Sequence, residues 1–308
     1  MYNYLSEFLV HCLRDGLNIM YVQVHKDGKL LEEWKRMPVK TRLNTWSVSK
    51  GIVSCAAGIA EAEGLIDLQE KIVDIYPEYA GLSSYPNLKK VTLWHLLTMT
   101  SGLEEPMFFC DGADRYTTKN WVEYFFRNGK FVNEPGEKFL YSNHNTYILS
   151  TVIEKRAGCN LLEYLRDRLL EPMGMHNPDW TLCPMGHVHA ANGLYFTIDE
   201  YSAYGNMLLN KGMVDGKQLI SRAYMEKAMS AVTDLTGTPF EAESGGAYGC
   251  YFVRSKNGKV IHSDGNYGQY CYVFPEQKMV VTIMSLEGSY AAIGDYLWED
   301  IAKRIMSE

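Results

Sequence analysis

Hydrophobic and polar positions change their period along the chain, and the changes mark its elements. In MYNYLSEFLVHCLRDG, Tyr4, Phe8, Leu9 and Cys12 recur on one side of a 3.6-residue period, which predicts an amphipathic helix. In LNIMYVQVHKDGKLLEEW, two β-rich runs flank Lys26-Asp27-Gly28-Lys29, and Asp-Gly in that position predicts a hairpin. Residues 48–63 are small and helix-compatible, with Gly64 placed to end the helix. From about 70 to 235 the pattern is helix and loop. WVEYFFRNG, NTYILSTVIEKRAG and LLEYLRDRLL have helical spacing, and Thr197-x-x-Glu200 opens another helix with a capping-box pattern. GAYGCYFVRSKNGKVIHSDGNYGQYCYVFPEQKMVVTIMS then returns to short strands, punctuated by Asn257-Gly258, residues 265–268 and Pro275-Glu276, before a last helical stretch at 289–305.

The simplest assembly pairs the strands from the two ends in one antiparallel sheet, with the N- and C-terminal helices on one face. This is an α+β fold with an inserted all-helical region. Residues 1–75 plus 236–308 form the sheet domain and 76–235 the helical one. Ser47 falls at their junction, where pockets commonly form.

Composition narrows the function classes. The 308 residues are 46% hydrophobic and 22% charged, an ordinary globular balance. The formal net charge is −7 and Lys and Arg are scattered, so neither nucleic acid nor an anionic membrane surface is an expected partner. No apolar run approaches the roughly 18–20 residues of a membrane span. The N-terminus lacks a basic leader region, and Glu7, His11, Arg14 and Asp15 interrupt its apolar positions, so no secretory leader is expected. Cysteines at 12, 55, 110, 159, 183, 250 and 271 are odd in number and form no Cys-x-x-Cys. Reduced, mostly buried thiols in a cytoplasmic protein are the expectation.

Ser47-Val48-Ser49-Lys50 carries the candidate chemistry. If Val48 or Ser49 opens the helix, Lys50 lies one turn beyond Ser47 on the same face. The helix dipole and partial burial disfavour the ammonium, and a neutral Lys50 can take the proton of Ser47, a weak nucleophile without a base. The competing reading is a serine cap beside a solvated lysine, since Ser-x-x-Lys occurs once here, about as often as chance allows. Two further elements favour chemistry. Tyr141-Ser142-Asn143 stands between Pro135-Gly136 and a long helix, so the phenol can relay protons and the amide can orient Lys50 or hold a carbonyl. Tyr85-Pro86-Asn87 and Tyr204-Gly205-Asn206 share the spacing but read as a turn and a helix interior. In VIHSDGNYGQYCYVFP, read as a strand, His262 is a donor placed to face the site, and a backbone N–H just beyond it would pair with that of Ser47 as an oxyanion hole.

Together these segments resemble the serine β-lactamase and penicillin-binding-protein superfamily, in the branch of class C β-lactamases, D-alanyl-D-alanine carboxypeptidases, and related esterases and D-aminopeptidases. WSVSKGIVSCAAGIAEAEGLIDLQEKI is similar to the nucleophile helix, VTLWHLLTMTSGL to a Thr-Ser-Gly-Leu segment, and PGEKFLYSNHNTYILSTVIEKRAG to the second catalytic motif. LLEPMGMHNPDW and NGLYFTIDEYSAYGNMLLNKG resemble further family segments, and HSDGNYGQYCYVFPEQKMVVTIMS stands where the family has Lys/His-Thr/Ser-Gly and its last strands. The resemblance covers nearly the whole chain. It implies a β-lactamase-like fold and acyl transfer through an ester on Ser47, with Lys50 as proton acceptor and Tyr141 as general base or relay. It implies that Asn143, His262, Ser263 and Gly265 bind or orient substrate, that the N–H groups of Ser47 and Gly265 hold the oxyanion, and that no metal or organic cofactor takes part. His144 and Asp264 are candidates for the pocket wall.

The implied substrate is a small ester, amide or peptide, D-amino-acid peptides included. An acyltransferase or a slow penicillin-binding protein on the same residues stays open, as does the oligomeric state. The chain departs from the family pattern twice. Asp264 replaces a glycine, adding bulk and negative charge beside His262, which disfavours a carboxylate-bearing substrate and favours an esterase or amidase accepting an amine. A register that aligns Gly265-Asn266 with the family's pair restores the glycine and loses His262. Met99 replaces a histidine and reads as structural.

The remaining polar candidates read as structure. His187-Val188-His189 lacks a fixed third ligand for a metal, His95 reads as a hydrogen-bonded core histidine, and Glu243-Ser244-Gly245-Gly246 as a loop. Of Tyr248, Tyr251, Tyr267, Tyr270 and Tyr272, most read as sheet packing and one or two as an aromatic wall.

Overall fold

The computed structural model describes residues 3–108 and 112–308. The Asp-Gly turn forms as expected. Ile19–Lys26 (β1) and Lys29–Lys35 (β2) pair antiparallel, and Asp27 and Gly28 both take positive φ, 50° and 76°, the backbone of a turn whose twist matches its strands. Six further strands complete the sheet: Thr233–Asp234 (β3), Ala247–Tyr248 (β4), Val253–Arg254 (β5), Ile261–Gly265 (β6), Gln269–Phe274 (β7) and Met279–Ser285 (β8). The order is β2-β1-β8-β7-β6-β5-β4-β3, antiparallel throughout. The two ends of the chain meet where β1 pairs with β8, Val22 opposite Ile283 and Val24 opposite Val281.

Helices α1 (Leu5–Arg14), α2 (Ser49–Ala62), α3 (Trp121–Asn128), α4 (Asn143–Ala157), α5 (Ile198–Leu209) and α6 (Ala291–Tyr296, continued by Leu297–Ala302 and Lys303–Met306) surround the sheet and build the second region. Alternation along the strands divides the core. Val22, Val24, Tyr272, Val281 and Ile283 pack with Phe8, Cys12, Leu297 and Ile301 of the terminal helices. Met20, Tyr21, Cys271, Val273, Val280 and Met284 join the core of the other face. Both faces of β8 are covered, so all seven of its residues are buried and its sequence is mostly apolar, with Thr282 and Ser285 the exceptions. Each fully buried Val, Ile or Phe in these layers contributes about 1.5–3 kcal/mol of transfer free energy.

The division at 76–235 needs correction in two places. Helix α5 lies against the sheet, so close that a Cβ on Gly205 would stand 2.5 Å from Val280 Cγ1 and 2.9 Å from Cys271 Sγ. Strand β3 extends the sheet edge. Nor is the insertion all helical. Leu43–Asn44, Leu194–Phe196 and Asp179–Trp180 form a small sheet, and Met213–Val214 pairs with Lys217–Gln218. The small sheet ties the chain entering α2 to the insertion. The Thr197 capping box forms: Glu200 N–H donates to Thr197 Oγ1 and Thr197 N–H to Glu200 Oε2.

Among the described residues no helix is long and apolar enough to cross a membrane. Cys12, Cys55, Cys183, Cys250 and Cys271 are buried free thiols and Cys159 is an exposed one. Cys110 lies outside the described residues.

Candidate active site

Ser47 is not a helix cap. It occupies the middle of a 3₁₀ turn, Trp46–Val48, that runs directly into α2, and no side chain caps either helix. Trp46 enters the turn at φ 50°, a left-handed conformation that costs a bulky residue of order 1–3 kcal/mol and persists only where its surroundings fix it. They do so here. Trp46 N–H donates to Asn44 Oδ1 at 2.9 Å and Thr45 N–H to Leu194 O at 2.8 Å. Ser49 Oγ lies 2.8 Å from Trp46 O and 2.7 Å from Ala190 O. The Trp46 indole packs on Tyr267, ring centroids 4.7 Å apart.

One turn on, Lys50 Nζ stands 3.0 Å from Ser47 Oγ and donates to Ala191 O at 3.0 Å. Lys50 is 1% exposed, and its nitrogen lies over the Tyr141 ring, 4.7 Å from the centroid. Met99 fixes the Tyr141 loop from beneath. Its carbonyl accepts from Leu140 N–H at 2.8 Å and its sulfur from Ser142 N–H at 3.4 Å. The methionine at this position is structural, as read from the sequence.

Asn143, the first residue of α4, is 5% exposed. Its Nδ2 donates to Phe108 O at 2.9 Å, which fixes the amide and leaves the buried Oδ1 with no partner among the described residues. Gly265 closes the site from the sheet side. A Cβ there would stand 2.5 Å from Thr45 O and 3.0 Å from Ser47 N, so only glycine lets β6 approach the Ser47 turn this closely. Ser47, Lys50, Tyr141, Asn143 and Gly265 line one cleft of about 610 Å³.

His262 and Asp264 do not share the surface presented to Ser47. Side chains alternate along a strand. Gly265 meets the Ser47 turn and Ser263 Oγ lies 3.3 Å from Tyr204 OH of α5, so His262 and Asp264 face the other way. His262, 5% exposed, stacks on Tyr272 at 4.6 Å and donates from Nε2 to Ser244 O at 2.9 Å. Asp264 has a half-exposed side chain, with Oδ1 3.4 Å from His262 Nδ1. Both still line the cleft, which continues round the edge of β6 past the last β5 pairing, Val253 with His262.

His144 leaves the pocket wall. One helix position beyond Asn143 turns it inward, where it is fully buried, donates from Nε2 to Trp121 O at 2.7 Å and stacks on Phe108 at 4.0 Å. Burial pushes its pKa down to about 3. The other histidines also take structural partners: His187 pairs with Glu154, and His189 Nδ1 accepts from Arg115 Nη2 at 2.7 Å. Burial, reinforced by Arg115, pushes His189 down to about 4. His95 Nδ1 lies 3.1 Å from Thr92 N at the start of its helix.

Sequence reasoning missed two supports. The carbonyls of Ala190 and Ala191 hold Ser49 and Lys50 across 141 residues of chain, and no residue type announces a backbone acceptor. Tyr204, set aside as a helix interior, puts its hydroxyl into the notch over Gly51, where a Cβ would stand 2.0 Å from it. Tyr248, Tyr251, Tyr270 and Tyr272 line the cleft, while Tyr267 is exposed beside Trp46.

Comparison with known proteins gives this geometry a context. The chain is 28% identical to a D-aminopeptidase from Brucella anthropi over 178 residues, 50% of this chain and 31% of that protein. It is 23% identical to a 6-aminohexanoate-dimer hydrolase from Paenarthrobacter ureafaciens over 259 residues, 78% of this chain and 64% of that one. It thus spans about a third of the aminopeptidase. Its fold matches that of an octameric penicillin-binding protein homologue from Pyrococcus abyssi with a TM-score of 0.76 and 21% identity, over 96% of this chain and 76% of the other. With the β-lactamase family model matching residues 10–303, the chain belongs to the β-lactamase family.

Proposed function

We propose that the protein is a serine hydrolase that cleaves small amides or esters through an acyl-enzyme on Ser47. The observation that carries this reading is the 3.0 Å approach of a buried Lys50 Nζ to Ser47 Oγ. Burial opposes the ammonium form, so Lys50 takes the Ser47 proton as Oγ bonds to the substrate carbonyl carbon. The N–H groups of Ser47 and Gly265 hold the oxyanion, and Gly265 is the residue whose lack of a side chain permits that pairing. The proton passes from Lys50 through Tyr141 to the departing nitrogen or oxygen as its bond to the carbonyl carbon breaks. Water, deprotonated through Tyr141, then attacks the ester and Ser47 recovers its proton.

The unpartnered Asn143 Oδ1 favours substrates with an N–H beside the scissile carbonyl, since a buried acceptor left unmet costs about 1–3 kcal/mol. The aminopeptidase and amide-hydrolase relatives support the same substrate class. Pre-steady-state kinetics with a p-nitrophenyl ester test the pathway. The reading expects a burst of one nitrophenolate per active site, absent in Ser47→Ala. A Ser47→Ala variant that turns over at the wild-type rate contradicts it.

A further inference from the structure

The cleft does not end at the nucleophile. Beyond the last pairing of β6 with β5 its lining includes His262 and Asp264, with residues of the loop at 235–245 and of the start of α6. Tyr270, Tyr272, Asp295 and Trp298 line the same part of it.

Its hydrogen bonding is incomplete in one informative place. The partner of His262 Nε2 is the Ser244 carbonyl, which can only accept, so Nε2 carries the proton. In the neutral ring Nδ1 is then a lone-pair acceptor. It is buried without a hydrogen-bond partner among the described residues, and Asp264 Oδ1 lies 3.4 Å away. With Nδ1 unprotonated, two acceptors this close are met by one donor that bridges them from the side, best a positive one with several N–H bonds.

The surroundings have the same sign. Glu243, Asp264, Asp295 and Glu299 line the cleft. Glu243 and Glu299 are matched by Lys256 and Lys303, which leaves Asp264 and Asp295 as the acids without a lysine or arginine partner among the described residues. Both carboxylates help to push the buried Tyr270 and Tyr272 hydroxyls up, after desolvation, so both act on the same pair of rings. An aromatic ring beside carboxylates suits an ammonium ion, and Tyr270, unlike Tyr272, is not stacked by His262.

We propose that this part of the cleft is a subsite for a substrate ammonium group that bridges His262 Nδ1 and Asp264 Oδ1 beside Tyr270. As a substrate subsite it rests on the hydrolase reading above and narrows it to amine-bearing acyl groups. Gly265 marks the nucleophile, and the His262–Asp264 pair is centred two residues back along β6, about 7 Å at the rise of a strand. The amine is therefore separated from the scissile carbonyl by several bonds, as in an ω-amino acyl chain, and is not the α-amine.

Two measurements separate this claim from the hydrolase reading. The first is an NMR titration of the His262 imidazole, assigned with His262→Gln, using hexylammonium and the neutral hexan-1-ol. The proposal expects a saturable shift with hexylammonium alone, in wild type and in Ser47→Ala, with affinity at least tenfold weaker in Asp264→Asn. No saturable shift in wild type, or an equal one with hexanol, overturns it. The second compares 6-aminohexanoyl p-nitroanilide with heptanoyl p-nitroanilide, which replaces the ammonium by a methyl group. A tenfold or greater kcat/KM preference for the amine, carried in KM and reduced tenfold in Asp264→Asn, supports the subsite. Turnover of both anilides without preference overturns it. Hexylammonium binding with turnover of neither anilide nor ester overturns the hydrolase reading and leaves the ammonium site standing.

Discussion

Ser263 and Gly265 meet tightly packed neighbours on one face of β6, whereas His262 and Asp264, between and beside them, look from the other face onto open volume. On the first face a single Cβ would collide with Thr45 and Ser47. On the second, a buried ring nitrogen has no hydrogen-bond partner among the described residues and a carboxylate is half exposed. One strand thus separates two tasks. In the proposed mechanism the packed face holds the geometry at Ser47, and the open face selects the acyl group.

The largest effect should come from the packed side. Lys50→Met keeps the volume of a buried chain and removes its base, so acylation by a p-nitrophenyl ester should fall by about 10³-fold with thermal stability retained; stopped-flow burst rates measure it. Gly265→Ala puts a Cβ where Thr45 O and Ser47 N stand. It should cost about 10²–10³-fold in kcat, as expected for a displaced oxyanion donor. If this variant kept its kcat while Asp264→Asn abolished turnover of both amine and neutral substrates, the division between the faces would be wrong.

Acid stability gives a smaller effect, of defined sign. His144 has a folded pKa near 3 against an ordinary value of 6.5, so the unfolded chain binds the extra proton. The stabilisation is therefore complete above pH 6.5, is lost as pH falls, and levels off below about pH 3. Between pH 7 and pH 5 the loss is about 2 kcal/mol. Urea unfolding at the two pH values should show it, and His144→Phe should remove that part of the pH dependence.

The smallest effect tests the packing behind the nucleophile helix. Gly51→Ala drives a Cβ into the Tyr204 hydroxyl and should cost about 1–3 kcal/mol. Tyr204→Phe removes that oxygen and the 3.3 Å contact to Ser263, at about 1 kcal/mol. The double variant should be more stable than the sum predicts, a coupling that thermal unfolding of all four proteins would report.

These contrasts also explain what the sequence could disclose. Ser47 and Lys50 are one helical turn apart, and Tyr141 and Asn143 straddle a helix start, so local periodicity sufficed to place each on its element. The Asp27-Gly28 hairpin and the Thr197 capping box are equally local. His144 was misplaced because a helix turns about 100° per residue, and adjacency to Asn143 carries the next side chain away from the cleft. His262 does line the cleft, but strand alternation puts it on the face opposite Ser263 and Gly265, a distinction the segment pattern alone did not draw. The Ala190 and Ala191 carbonyls and the Tyr204 hydroxyl reach the site through tertiary packing, which no spacing in the sequence encodes.

The most direct test of the central claim is intact-mass spectrometry of wild type and Ser47→Ala after treatment with a fluorophosphonate. A nucleophile activated by Lys50 predicts one adduct per wild-type chain, mapped to Ser47, and none on Ser47→Ala. An unlabelled wild type, or equal labelling of both proteins, would contradict it.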